Sequence, residues 1–143
     1  MSLRASTVGE LLDALGARTP APASGAATAL TAALAAALVE LAARFAGDER
    51  SVEEAGALAQ RLVELADEDV DAYTAFMAER TPANRAWIVA VPEEIATQAR
   101  ATADLAAHVR AQLEGPVGAD ADAAAVLAAS AAGVASSLAA LNA

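Results

Sequence analysis

Larger apolar residues return every three or four positions along most of the chain, the repeat of helices with one covered face. Val8, Leu11, Leu12 and Leu15 form the first stripe, and Thr7 with Glu10 fits a capping box at its start. Pro20 and Pro22 then interrupt the pattern. A second helix is predicted from Ser24 or Gly25 to about Ala46, with Leu30, Leu34, Leu38, Leu41 and Phe45 as its larger residues and Gly47 as its stop. A third begins at a second capping box, Ser51 with Glu54, and runs to about Glu79. Thr81-Pro82 reads as a cap followed by proline at the first helical position, opening a short helix that kinks or restarts at Pro92. Beyond it, Ile95, Ala99, Thr102, Ala106, Val109 and Leu113 make one stripe, ended by Gly115-Pro116. The last helix runs from about Asp120 to the end, with Ala129, Gly133 and Ser137 forming a small-residue face suited to a close neighbour. Five to six helices joined by short connections predict an all-α, up-down antiparallel bundle forming a single domain over 1–143.

Composition sharpens this picture. About a third of the 143 residues are alanine, the best helix former, so helices are expected to approach closely and pack through many small contacts. There is no cysteine, which removes disulfides and thiolate chemistry, and the single histidine, His108, rules out a multi-histidine metal site. No metal or organic cofactor is expected. Every basic residue is arginine, and 9 of them stand against 19 acidic groups for a net charge of -10. That balance argues against nucleic acid and anionic membrane surfaces as partners. The uncharged stretch from Ala123 to Ala143 is long enough to span a bilayer, but it is mostly alanine, serine and glycine without flanking arginines. We read it as a buried helix of a cytoplasmic protein.

The chemistry-bearing anomaly is in the third helix. Its stripe of Leu58, Leu62, Leu65, Ala72 or Tyr73, and Phe76 has Asp69 at a core-facing position. A carboxyl among leucines is costly unless hydrogen-bonded, and burial raises its pKa, which makes it a candidate general acid or base near neutral pH. A helix rotated by one position would instead put Asp69 at the stripe's edge beside an arginine.

Four stretches occur in order: PAPASGAATALTAALAAALVE (20–40), DEDVDAYTAFM (67–77), VPEEIA (91–96) and GADADAAAVLA (118–128). Together they resemble the cyclodeaminase domain of formiminotransferase-cyclodeaminase, a family that includes methenyltetrahydrofolate cyclohydrolases. The resemblance covers nearly the whole chain. It implies an all-helical homodimer acting on a one-carbon unit of a tetrahydrofolate derivative, a folate-type small molecule. The reaction implied is cyclodeamination of 5-formiminotetrahydrofolate to 5,10-methenyltetrahydrofolate, or hydrolysis of the methenyl form. It also implies catalytic Asp69, with Pro22, Ser24, Gly25, Arg85 and Asp120 binding substrate, and with Arg18 as another candidate for the glutamate tail. The first amides of helix two, at Ser24 and Gly25, are suited to an anionic or carbonyl group. Asn142 corresponds to a pocket asparagine, whereas Leu138 replaces another. Simpler roles exist for two of these residues: Ser24 as a helix cap, and Asp120 as a favourable first-turn charge. Departures from the family pattern are Ala23 and Ala26 in the glycine run, a shortened link before Pro92 and no final helix. They favour an alternative, a non-catalytic dimeric remnant that serves as a ligand-binding or interaction module.

Overall fold

The structure is a computed structural model that describes residues 2–143. Its α-helices are α1 (Val8–Gly16), α2 (Ser24–Ala46), α3 (Glu49–Ala78), α4 (Pro82–Arg110) and α5 (Ala119–Asn142). Short 3-10 turns at Leu3–Ala5 and Gly115–Gly118 complete the regular structure. Helices α2 to α5 form the expected up-down bundle: α3 follows α2, α4 follows α3, and α5 closes against α2. Helices α2 and α4 also touch, so they form the short diagonal, with α3 and α5 across the long one. Ala29, Ala32, Ala35 and Ala36 of α2 are fully buried, and small side chains at these positions permit that approach.

The local signals that fix the helix ends are partly those of the sequence reading. Thr7 and Glu10 form their capping box, Thr81 caps α4, and Gly47 ends α2 in the left-handed conformation. The predicted Ser51–Glu54 box does not form. Asp48 caps α3 instead, accepting from the Ser51 N–H and from its hydroxyl, which is therefore no longer free to act as a cap. The expected break at Pro92 is also absent, and α4 runs through it as one helix. Proline lacks the N–H that would bond Ile88 O one turn back. The side-chain amide of Asn142, at the end of α5, supplies that donor at 2.8 Å.

Helix phase differs from the expectation in α2 and α5. The leucine stripe of α2 turns outward, with Leu34 and Phe45 66% and 67% exposed, while its alanine face is buried. Likewise Ala129, Gly133 and Ser137 lie exposed, and α5 packs through Ala121, Ala124, Ala128, Ala131 and Ala135. Helices α2 and Gly115–Asn142 are long and apolar enough to cross a membrane by length and composition, yet each contributes its alanine face to the bundle. Helix α1 buries no residue fully and leaves Val8 and Leu12 open.

Candidate active site

At one end of the bundle, a hollow of about 250 Å³ lies where the α2 N-terminus, α3, the middle of α4 and the C-terminus of α5 meet. Its walls are Pro20, Ala21, Ala23, Ser24, Gly25, Asp69, Tyr73, Pro92, Leu138 and Asn142. Each arrives for a local reason. The proline-rich lead ends at Ala23, so the first-turn amides of α2 face the hollow without a side-chain cap of their own. Asp69 and Tyr73 are one turn apart on α3. Pro92 is held in α4 by the Asn142–Ile88 bond, which also orients the Asn142 amide at the wall.

Asp69 is half-buried and its carboxyl rests on the α2 N-terminus. A Cβ on Gly25 would overlap its Cγ and both its oxygens. Burial pushes the Asp69 carboxyl above its ordinary value, and the nearby Ala26 N–H opposes part of that rise. The Ala26 amide is at the third position of the helix, the one a helix cap normally satisfies. Asp69 thus lays its carboxyl against the first turn of α2, where the segment leading into the helix supplies no side-chain cap. Asp69 faces inward, as the unrotated phase requires, and no arginine pairs with it.

The sequence model of the formiminotransferase-cyclodeaminase family matches residues 7–143. The chain belongs to that family. The fold is similar to that of formiminotetrahydrofolate cyclodeaminase from Thermotoga maritima, with a TM-score of 0.92 at 21% sequence identity, covering 97% of this chain and 79% of that one. No curated protein matches the sequence.

Of the residues the family resemblance nominated, Asp69, Ser24, Gly25 and Asn142 converge on the hollow, and Leu138 lines it where the family has an asparagine. Pro22 is buried beside it, between wall residues Ala21 and Ala23, and does not line it. Asp120 does not line the hollow. It opens α5 while Asn142 closes it at the hollow, about 33 Å away along the helix. Arg85 lies outside the hollow and exposed, its guanidinium 5.3 Å from the Phe76 ring centre, where Arg80 stacks at the same distance. Arg18 is exposed as well and does not line the hollow. The sequence reading missed Tyr73 and Pro92 as wall residues. Tyr73 carries a readable signal, because it stands one helical turn after Asp69. Pro92 carries none, since its place depends on α5 reaching back to α4. Among the described residues, no group of three or more histidines or acids is placed to hold a metal ion.

Proposed function

We propose that this protein carries out one-carbon chemistry on a tetrahydrofolate derivative, with Asp69 moving the proton. The supporting observation is Asp69 itself: a half-buried carboxyl with a raised pKa, at the wall of a ligand-sized hollow, beside free first-turn amides. In the cyclodeaminase direction, 5-formiminotetrahydrofolate reacts in the form protonated at its formimino nitrogen, and its N10 attacks the formimino carbon. Asp69 as carboxylate takes the N10 proton and returns it to the amino nitrogen. The C–N bond breaks, ammonia leaves and the methenyl bridge remains. A single group can serve both halves because the proton it takes from N10 is the one it returns. No metal or organic cofactor enters the scheme. The hollow takes the pterin end, near Asn142 and the Ser24 and Gly25 amides. The anionic tail runs along the Asp69–Tyr73–Phe76 face of α3 toward Arg80 and Arg85, neither of which pairs with a carboxylate among the described residues.

The test is methenyltetrahydrofolate absorbance with purified protein. Turnover that Asp69→Asn abolishes supports the reading, and no turnover above buffer, or full turnover in Asp69→Asn, removes it. Arg80→Ala and Arg85→Ala should each raise KM about tenfold with kcat little changed.

The same reading includes a homodimer in the cytoplasm. Leu34 of α2 and Val126, Leu127 and Val134 of α5 are exposed on stretches without charged side chains, Ser24 to Val39 and Ala123 to Ala143, and Leu41 and Phe45 extend the apolar exposure of α2 beside the Glu40–Arg44 pair. Two copies each carrying -10 repel everywhere except through such a face, so the occupant we assign to it is a second copy. Sedimentation should give a dimer that Leu34→Asp dissociates, and a monomeric parent protein would exclude it. The exposed face also supports a second reading, a non-catalytic dimeric module. An intact dimer that binds folate and never turns it over would select that one.

A further inference from the structure

The chain has eight glycines, and two of them are in tight quarters. A Cβ on Gly118 would meet the guanidinium of Arg110, a long, part-exposed side chain that can swing away. A Cβ on Gly25 would meet the carboxyl of Asp69, which is short, half-buried and seated on the α2 amides. Gly25 has no positive φ, so its backbone tolerates any residue and the constraint is purely one of space. Gly9 is a matched contrast. It also stands second in its helix, and its nearest neighbour, Thr7 Oγ1, is at an ordinary 3.9 Å.

We propose that Gly25 is a positioning residue for Asp69: its missing side chain is the seat that docks the carboxyl on the first turn of α2 and aims it into the hollow. This rests on the reading of Asp69 as the proton-transfer group. An alanine at Gly25 leaves the helix free to form, since alanine is the better helix residue. It removes the volume the carboxyl occupies, so Asp69 swings out into the hollow, leaves the Ala26 N–H and meets water. Tyr73 is the other titratable group on the hollow's wall, so a carboxyl displaced there meets no compensating positive charge.

The inference has a readout independent of folate chemistry. In the native background Gly25→Ala should lower Tm, whereas in an Asp69→Ala background, with the carboxyl gone, it should raise Tm as an alanine in a helix ordinarily does. Gly9→Ala should behave alike in both backgrounds. The same sign for Gly25→Ala in both overturns the proposal. If Gly25→Ala remains folded, carbon-detected NMR titration of Asp69 should move its midpoint down toward that of a solvated aspartate. With a folate substrate, kcat should fall at least tenfold, the acid limb of its pH profile should follow the titration, and KM should change less. An unmoved titration midpoint also overturns the proposal. If the parent protein shows no folate turnover, the functional reading fails, and the Tm cycle and titration still decide the role of Gly25.

Discussion

Asp48 and Asp69 lie about 30 Å apart along α3, and each sets its carboxyl at the first turn of a helix. Asp48 caps its own helix from the α2–α3 corner. It accepts from Gln112 at 2.8 Å, from the Ser51 hydroxyl at 2.6 Å and from the Ser51 N–H at 3.1 Å, with His108 at 3.4 Å. Those donors, Gln112 and then Ser51, hold its carboxyl well below the usual carboxylate range. Asp69 rests against a helix distant in sequence, and burial raises its carboxyl above the ordinary aspartate value, with the Ala26 N–H opposing part of that rise. The same side chain beside a helix start is driven down at Asp48 by its donors and up at Asp69 by burial. The Asp48 carboxylate is fully engaged and ties the α2–α3 corner to the end of α4. The Asp69 carboxyl is under-supplied, which suits a group that exchanges protons.

The largest effect expected from this contrast is on turnover. Asp69→Asn keeps the shape and the acceptor for Ala26 and removes the titrating proton, so kcat should fall between about a hundredfold and ten-thousandfold in the methenyl absorbance assay. Asp48→Asn, in the same assay, should leave kcat unchanged.

Stability should answer in the reverse order. Asp48→Ala removes the α3 cap and the tie to α4, and its thermal midpoint at pH 7 should drop by several degrees. Because the folded pKa of Asp48 is depressed, its contribution is present above the unfolded value near 3.8 and is lost as pH falls through the folded one. The mutant and parent midpoints should therefore converge in strong acid. Asp69 has the opposite sign. Its folded pKa is raised, so the native state is favoured below the unfolded value and loses that advantage as pH rises through the folded one. Asp69→Asn should raise the midpoint at pH 7 by less than Asp48→Ala lowers it, and change little at pH 3. A variant stabilised at neutral pH and catalytically dead is the signature of a carboxyl kept for chemistry.

How far these two residues could be read from the chain depends on whether their partners are local. The bundle was legible because alanine content, caps and the three-four repeat are short-range properties. Asp69 was legible as an intruder in a leucine stripe, a one-helix pattern. Asp48 was passed over because Ser51-x-x-Glu54 offered an equally plausible cap three residues later, and the choice depended on Gln112 and His108 arriving from α4. Helix α2 was misread in phase because leucine outweighs alanine in any hydrophobic stripe, whereas close packing against α4 selects the alanine face. Asp120 was nominated by motif order alone. An antiparallel α5 that brings Asn142 to the hollow necessarily carries its first turn to the far end.

The smallest effects separate the donors that hold Asp48. Gln112 donates from an exposed position, and water can replace an exposed amide with little net loss. The Ser51 hydroxyl is on a residue only 3% exposed, so water does not readily take its place as a donor to Asp48. Although Gln112 exerts the larger pull on the Asp48 pKa, burial reverses the order for stability. At pH 7 the thermal midpoint should fall most in Asp48→Ala, less in Ser51→Ala and least in Gln112→Ala. If Gln112→Ala costs as much as Asp48→Ala, the tie between α4 and the α3 cap matters more than the cap itself. Asp48 would then hold the bundle's far end through a distant helix, as Asp69 holds the near end, and the contrast between local and distant capping would fail.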